Sequence, residues 1–194
     1  MSRPAFSLFQ SHLDLAKSYW ERHLHPHSIA VDATCGNGHD SLSLARLCAE
    51  KGALYCLDIQ KKAIDSTKAL LESSLPDGVK HNIYFFNHSH ETFPKEIPPC
   101  DLLVYNLGYL PGGDKSLTTK VAGTLKSFKN GLNLLKLNGL ISITCYPGHP
   151  EGAKEQQALL YEVSQLSPLD YLVCHHSFEN RLKAPSLLLI FKRK

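Results

Sequence analysis

The stretch from Val31 to Asp40, which reads Val-Asp-Ala-Thr-Cys-Gly-Asn-Gly-His-Asp, constrains the fold of this chain more than any other. It follows a short apolar run, residues 29–31, and precedes a segment rich in Leu and Ala, so it predicts a strand, a glycine turn and a helix. Gly36 and Gly38 permit backbone angles and close approaches that a Cβ atom would block. The unpaired N–H groups at the start of the helix point at whatever lies on the turn. This arrangement is typical of a ligand-binding loop, although two glycines also occur in turns that bind nothing.

The rest of the chain alternates apolar runs with helical patterns. Strands are predicted over residues 29–34, 53–59, 83–86, 101–107 and 140–146, and two closing strands, 171–178 and 187–192, form a hairpin across 180–185. Helices are predicted over 5–23, 41–50 and 60–74, from the apolar spacing between Val121 and Leu135, and from Leu159 to Leu166. This alternation predicts an α/β, Rossmann-like fold with a mostly parallel twisted sheet, helices on both faces and a C-terminal antiparallel hairpin.

Composition limits the class of protein. A chain of 194 residues with 43% hydrophobic content suits a single domain over residues 1–194, with residues 1–28 as a helix and link packed on it. No apolar run approaches the roughly 20 residues that cross a bilayer, and residues 1–10 do not resemble a signal peptide, so we expect a cytoplasmic protein without a membrane partner. The six cysteines form no CxxC pair and the eleven histidines are scattered, so we expect reduced thiols and no metal. A net charge of +3 permits a nucleic-acid partner without requiring one.

The polar residues cluster at the predicted carboxyl ends of the strands, where parallel sheets bind ligands. Asp58 lies 20 residues after Gly38, at the end of the second strand, where a carboxylate can accept hydrogen bonds from a ribose diol. Nicotinamide dinucleotides and S-adenosylmethionine share this geometry. However, Ser41 replaces the third glycine of a dinucleotide fingerprint, and Asp40 places negative charge where a pyrophosphate would lie. Asp32 and Asp40 favour the sulfonium and ammonium of S-adenosylmethionine, with a dinucleotide as the second interpretation.

The segment Asn106-Leu107-Gly108-Tyr109 ends the predicted fourth strand. Its spacing is similar to the (D/N/S)PP(Y/F/W) motif of amino-group methyltransferases, with Leu-Gly in place of Pro-Pro. A side-chain amide oxygen and a backbone carbonyl can accept hydrogen bonds from an attacking amine, while the aromatic ring packs against a planar base. A turn-capping Asn beside a core Tyr is the alternative interpretation.

Four motifs occur in order along residues 10–194: Asp-Ala-Thr-Cys-Gly-Asn-Gly-His-Asp (32–40), Ser-His-Glu (89–91), Asn-Leu-Gly-Tyr-Leu-Pro-Gly-Gly-Asp-Lys-Ser (106–116) and Tyr-Pro-Gly-His-Pro-Glu-Gly (146–152). Together they closely resemble a small bacterial family first described as rRNA methylases and now understood as tRNA 5-(aminomethyl)-2-thiouridylate methyltransferases. The resemblance implies a class I methyltransferase fold and S-adenosylmethionine as cofactor. It also implies methyl transfer to the aminomethyl nitrogen of a modified wobble uridine in the anticodon region of tRNA.

The expected site follows from these motifs. The cofactor-binding residues are expected to be Asp32, Thr34, Gly36, Asn37, Gly38, Asp40, Asp58, Gln60, Ser89, His90 and Asn106, and the catalytic residues Asn106, Tyr109, His149 and Asp114. An alkylammonium has no lone pair, so the substrate amine must lose a proton before it attacks. The candidates for this step are, in order, His149, Asp114 and desolvation in the Asn106 pocket alone. An exposed loop histidine is the alternative interpretation of His149.

The RNA contacts are less defined. The candidates are Lys115, Lys120, Arg181, Lys183 and residues 192–194, with Arg22 and the histidines before the first strand as other options. Solvated surface lysines are the more common explanation. A small chain can need a homodimer to present enough surface, but no sequence feature establishes one. The alternative functions are methylation of an amine on ribosomal RNA or a small molecule, a non-catalytic adenosylmethionine-binding protein, and a dehydrogenase. Asn106 and Tyr109 argue against the non-catalytic protein.

Overall fold

The computed structural model describes residues 9–108, 119–181 and 183–194. Its strands are β1 (Ile29–Asp32), β2 (Ala53–Asp58), β3 (Ile83–Asn87), β4 (Cys100–Asn106), β5 (Leu135–Cys145), β6 (Tyr171–His176) and β7 (Ser186–Lys192). Its helices are α1 (His12–His23), α2 (His39–Cys48), α3 (Lys61–Ser74), α4 (Asp77–Lys80), α5 (Val121–Leu134) and α6 (Pro150–Ser164).

Within the described residues, the seven strands form one sheet in the order β3-β2-β1-β4-β5-β7-β6. Strands β1 to β5 are parallel, and β7 lies antiparallel between β5 and β6. The predicted α/β class, the parallel sheet and the C-terminal hairpin are therefore confirmed. The chain leaves β1 on one side for β2 and β3 and returns on the other side with β4, and the crevice at such a reversal is where open α/β sheets bind ligands.

Helices cover both faces of the sheet. Trp20 of α1, Leu44 of α2 and Leu71 of α3 pack on one face, and Phe128 of α5 and Leu159 of α6 pack on the other. Each of these side chains is at most 2% exposed, and burial of one such side chain stabilises the fold by about 1.5–3 kcal/mol. None of the helices in the described ranges is long and apolar enough to span a membrane.

Helix α1 differs from its prediction at its first turn. The sequence predicted a helix over residues 5–23, whereas α1 begins at His12 and Phe9 lies outside it with 62% of its surface exposed. Ser11 has an extended backbone, and its hydroxyl accepts a hydrogen bond of 3.1 Å from the N–H of Asp14. This capping bond fixes the amino end of the helix, although the apolar spacing extends to the residues before Ser11.

Strand β5 begins at Leu135, before the predicted start at residue 140. The Asn138–Gly139 pair, predicted as the turn into the strand, lies inside it. Asn138 has a φ of 60°, and the register with β4 shifts between Cys100 and Leu102. The pair therefore produces an irregularity within the strand rather than its end.

Candidate active site

The glycine turn joins β1 to α2. Gly36 and Gly38 have φ angles of 52° and 85°, in the left-handed region that favours glycine. A Cβ atom on Gly38 would lie 2.9 Å from the Cα atom of Thr67 in α3. The Thr67 hydroxyl donates a hydrogen bond of 3.1 Å to the Gly36 carbonyl. Helix α3 therefore holds the turn in shape, with the exposed Asn37 at its tip.

Asp32 is buried at the end of β1, with 1% of its surface exposed. It accepts hydrogen bonds of 2.6 Å from the Ser41 hydroxyl and 3.3 Å from the Thr34 N–H. Burial raises the pKa of Asp32 to about 7, and the hydrogen bond from Ser41 opposes this rise only in part. A carboxylate with this pKa changes its charge near neutral pH and responds to any cation placed beside it.

Asp58 ends β2 on the other side of the turn. Its two oxygens accept hydrogen bonds from the N–H groups of Gly36 (3.0 Å) and Gln60 (2.9 Å). Each oxygen keeps a further lone pair that can accept a bond from a ribose hydroxyl. The next residue, Ile59, is 61% exposed and adds an apolar surface that suits a purine face. Ile59 was not predicted as a site residue. The signal that could have identified it is its position directly after Asp58, the acid at the end of β2.

Ser89 and His90 follow β3. The Ser89 hydroxyl accepts a hydrogen bond of 3.3 Å from the N–H of Glu91. The His90 ring packs edge-on against Tyr105 of β4, with 5.9 Å between ring centroids. Burial lowers the pKa of His90, which favours its neutral form. Ser89 thus lies at the carboxyl end of the sheet, and His90 packs inward against β4.

Asn106, at the end of β4, is held from three directions. Its backbone N–H donates a hydrogen bond of 2.7 Å to the Thr34 hydroxyl. Its side-chain nitrogen donates to the Asp40 carboxylate in the first turn of α2, and its side-chain oxygen accepts a bond of 3.1 Å from the Tyr146 hydroxyl. Because an ionised carboxylate only accepts hydrogen bonds, these partners fix which way the Asn106 amide faces. Burial raises the pKa of Asp40, while the charge of Lys17 in α1 lowers it.

Tyr146 and His12 extend this contact and were not predicted as site residues. The Nε2 atom of His12, at the start of α1, lies 3.4 Å from the Tyr146 hydroxyl oxygen, and the two rings are nearly perpendicular. Burial raises the pKa of Tyr146 to about 12, so its hydroxyl keeps its proton at neutral pH. Tyr146 belongs to one of the four motifs but had no assigned role, and no local pattern links it to a residue 134 positions away.

His149 caps helix α6. Its Nδ1 atom accepts a hydrogen bond of 3.1 Å from the N–H of Gly152, where a Cβ atom would lie 2.2 Å from the Tyr146 carbonyl oxygen. In the neutral ring the proton is then on Nε2, which can donate but not accept. The role of His149 as a proton acceptor stays a prediction. Tyr109, Asp114 and Lys115 lie outside the described residues.

Glu155 of α6 connects Thr119, which lies between β4 and α5, with Thr124 inside α5. Its carboxylate accepts hydrogen bonds from the hydroxyls of Thr119 (2.8 Å) and Thr124 (2.5 Å), and the Gly108 N–H donates to the Thr119 hydroxyl oxygen at 2.8 Å. Glu155 is 1% exposed, and burial raises its pKa. Glu155 thus holds Thr119 directly and Gly108 through the Thr119 hydroxyl.

The site suits a nucleoside that carries positive charge. Asp32, Asp40 and Asp58 lie close enough that the charges of the other two raise the pKa of Asp32, after the larger effect of burial. A cation stabilises such desolvated carboxylates, whereas a pyrophosphate would add negative charge beside Asp40. The glycine turn, the partly exposed Asp58 and the apolar Ile59 supply the remaining surfaces.

Comparisons with known proteins identify the family and the fold of this chain. The family described as "Putative rRNA methylase" matches residues 54–192. A relative from Arabidopsis thaliana, named tRNA (mnm(5)s(2)U34)-methyltransferase, chloroplastic, is 35% identical over 189 residues, which cover 93% of this chain and 69% of the relative. A solved structure from Clostridium thermocellum, described as a "putative rRNA-methylase", has a TM-score of 0.89 and 30% identity, covering 95% of this chain and 98% of that chain. A structure from Streptococcus mutans, described as a "putative methyltransferase" in complex with SAH, has a TM-score of 0.84 and 30% identity, covering 95% of this chain and 99% of that chain.

Proposed function

The chain belongs to the family described as "Putative rRNA methylase", and on that premise we propose that it methylates the amine of 5-aminomethyl-2-thiouridine at wobble position 34 of tRNA. The product is 5-methylaminomethyl-2-thiouridine. The chain is an S-adenosylmethionine-dependent methyltransferase. The observation that supports the specific substrate is the 35% identity, over 93% of the chain, to a relative named for this reaction.

The residues around the glycine turn fit S-adenosylmethionine. Asp58 would accept hydrogen bonds from the ribose hydroxyls, and Ile59 would contact the base. Asp32 and Asp40 would balance the cationic groups. The backbone of Gly36 and Gly38 and the side chains of Thr34, Asn37, Gln60, Ser89 and His90 are the other proposed contacts. The cofactor supplies the methyl group.

Asn106 is the proposed residue that orients the substrate amine. Its side-chain oxygen would accept a hydrogen bond from the amine, because the nitrogen is already directed at Asp40. An amine held in this way keeps its lone pair aimed at the methyl carbon, and such alignment accounts for a large part of the acceleration of a displacement reaction. Tyr109, three residues further on, stays the proposed aromatic contact to the base.

The substrate ammonium must also lose a proton, and the three proposed routes differ in what they require of the chain. His149 would accept a proton at Nδ1 only by breaking its capping bond to Gly152. Asp114 is the second proposed acceptor. Desolvation of the amine beside Asn106 requires no rearrangement of the chain, because it lowers the pKa of the ammonium so that the proton is released to solvent water as the amine enters the pocket.

Nucleoside mass spectrometry of tRNA from a deletion strain tests the proposal. We expect 5-aminomethyl-2-thiouridine to accumulate, the parental gene to restore the methylated nucleoside, and Asn106→Ala to fail to restore it. A parental rate for His149→Ala in single turnovers would remove His149 from the mechanism. A deletion strain with normal methylated nucleoside would defeat the tRNA proposal.

The second candidate function is methylation of an amine in ribosomal RNA or a small molecule. The description of the family as rRNA methylases favours ribosomal RNA as the alternative. An assay with the purified protein distinguishes tRNA from ribosomal RNA as the substrate. It measures the transfer of labelled methyl groups to tRNA and to ribosomal RNA from the deletion strain. We expect incorporation into tRNA alone.

A further inference from the structure

The first turn of α1 reaches the carboxyl end of the sheet, although the sequence predicted that this helix only packs on the fold. His12 contacts Tyr146 through both a polar contact of 3.4 Å and perpendicular rings 5.6 Å apart. Lys17 of the same helix lies near enough to Asp40 to oppose the burial-driven rise in its pKa. Helix α1 therefore adds two side chains to the surroundings of Asn106.

The donors and acceptors in this group can be assigned one by one. The Tyr146 hydroxyl has one proton, and it donates that proton to the Asn106 oxygen at 3.1 Å. The Tyr146 oxygen can then only accept from His12, so the Nε2 atom of His12 must carry a hydrogen. The Asn106 nitrogen donates to Asp40 at the other end. The result is a directed series of hydrogen bonds from His12 through Tyr146 and Asn106 to Asp40, here called the polar network.

We infer that His12 and Tyr146 are positioning residues that act through Asn106 in the proposed methyl transfer. A rotated Asn106 amide would place its oxygen against Asp40 and its nitrogen against the Tyr146 hydroxyl, so the network permits one orientation. The bond that the Asn106 nitrogen donates to Asp40 polarises the amide and makes its oxygen a better acceptor, while Tyr146 and His12 hold that oxygen in place. Tyr146 uses one of the two lone pairs of that oxygen and leaves the second for the substrate amine.

This inference rests on the proposed function, and single substitutions test it. Tyr146→Phe removes the hydroxyl and keeps the ring. His12→Leu removes the donor, and His12→Gln keeps an N–H near the position of Nε2. The matched control is Tyr19→Phe, because the Tyr19 hydroxyl makes a similar contact of 3.2 Å with His176, from the same helix but away from Asn106.

The assay measures methyl transfer to tRNA from the deletion strain. We expect Tyr146→Phe to lower kcat about tenfold and His12→Leu about fivefold, as befits single hydrogen bonds in a reacting complex. We expect the KM for S-adenosylmethionine to stay within about twofold, because the network acts on the amine side. His12→Gln should recover most of the lost kcat, and Tyr19→Phe should match the parental protein.

A second measurement does not depend on activity. Selective 15N labelling of asparagine gives the Asn106 side-chain resonance, which is assigned by its loss in Asn106→Asp. We expect Tyr146→Phe and His12→Leu to shift this resonance and Tyr19→Phe to leave it in place.

A parental kcat for both Tyr146→Phe and His12→Leu, or a shift caused equally by Tyr19→Phe, would overturn the inference. If Tyr146→Phe does not fold, the His12 pair decides the matter. Absence of methylation by the parental protein would instead contradict the proposed function, and the Asn106 resonance would still report on the network.

Discussion

The ionisation of single buried carboxylates controls how the site responds to pH. Asp32 is almost completely buried, and its pKa is raised to about 7 from an ordinary value of 3.8, first by burial. A cationic ligand favours the ionised form and so lowers that pKa when it binds. Proton release and cofactor binding are therefore linked at this residue.

We predict that the affinity for S-adenosylmethionine rises between pH 6 and pH 8. The rise over this interval should be about fivefold if binding lowers the pKa of Asp32 by about one unit. Calorimetry at several pH values measures the effect. Asp32→Asn should bind more weakly and lose most of this dependence, whereas Glu50→Gln, exposed beyond the end of α2, should behave as the parental protein. An unchanged slope in Asp32→Asn would count against the assignment.

The free protein should respond to pH in the opposite direction. A carboxyl group whose pKa is raised by folding stabilises the folded state most below the ordinary pKa, and this contribution is lost as the pH rises through the folded pKa. We therefore predict that thermal stability without cofactor falls between pH 5 and pH 8, and that Asp32→Asn reduces this fall. Differential scanning calorimetry measures both. A thermal stability that rises with pH equally in the parental protein and in Asp32→Asn would contradict this prediction.

Which residues could be predicted from the sequence depends on how local their contacts are. Asp32, Gly36, Gly38 and Asp58 were named from spacing, because a strand, a glycine turn and a helix, followed by an acid at the end of the next strand, form a pattern that can be read along the chain. Tyr146 and His12 act through a contact across 134 positions, which only the assembled sheet creates. The local motif around residue 146 marked the segment without revealing that its tyrosine faces Asn106.

At the scale of elements, the packing of α3 against the glycine turn shapes the cofactor side. Gly38 combines a φ of 85° with close contact to the backbone of Thr67, whereas a Cβ atom on Gly78 in α4 would have no neighbouring atom within 4 Å. The two glycines thus differ in whether the structure has room for a Cβ atom. Substituting each by alanine separates backbone strain and crowding from the general effect of losing a glycine.

We predict that Gly38→Ala lowers the free energy of unfolding by about 1–3 kcal/mol, because an alanine is strained at this φ and meets Thr67. Its affinity for S-adenosylmethionine should fall as well. Gly78→Ala should stabilise the chain by about 0.5–1 kcal/mol through better helix propensity. Urea unfolding followed by circular dichroism measures the free energies. Equal effects of the two substitutions would contradict the packing argument.

The link between α5 and α6 depends on a buried acid. Glu155 accepts from two threonine hydroxyls, and an amide in its place would turn a donor towards one of them. We predict that Glu155→Gln lowers the free energy of unfolding by about 1–3 kcal/mol. Glu151→Gln, at a partly exposed position one turn earlier in α6, should leave it unchanged within error. Urea unfolding of both variants tests this, and a parental value for Glu155→Gln would refute it.

Apolar periodicity predicted the helices and strands well where a long amphipathic pattern met a clear breaker. It failed where a polar residue decided the boundary. Ser11 caps the amino end of α1, so the helix begins at His12 although the apolar spacing already includes Phe9. Asn138 adopts a positive φ inside β5, so a pair typical of a turn produced an irregular strand instead. Both outcomes depend on neighbours that a single sequence does not specify.

At the scale of the whole molecule, the proposed RNA-binding surface lies beside the proposed catalytic residues. The Lys183 carbonyl oxygen would lie 3.6 Å from a Cβ atom on Gly148, so the loop before β7 borders the loop that holds Tyr146 and His149. Lys120, which precedes α5, and Lys183 are both exposed. With a net charge of only +3, the chain depends on the placement of such residues rather than on its overall charge to attract RNA.

We predict that tRNA binding weakens steeply with salt while S-adenosylmethionine binding does not. If three phosphates are contacted, affinity should fall about 40-fold between 50 and 200 mM salt, because each contact releases about 0.9 counterions. Lys183→Ala should lower the slope of log affinity against log salt by about one. The control is Lys80→Ala in α4, at the amino end of β3 and therefore across the sheet from the site. Filter binding at four salt concentrations gives the slopes, and an equal slope for Lys183→Ala and the parental protein would place the phosphates elsewhere.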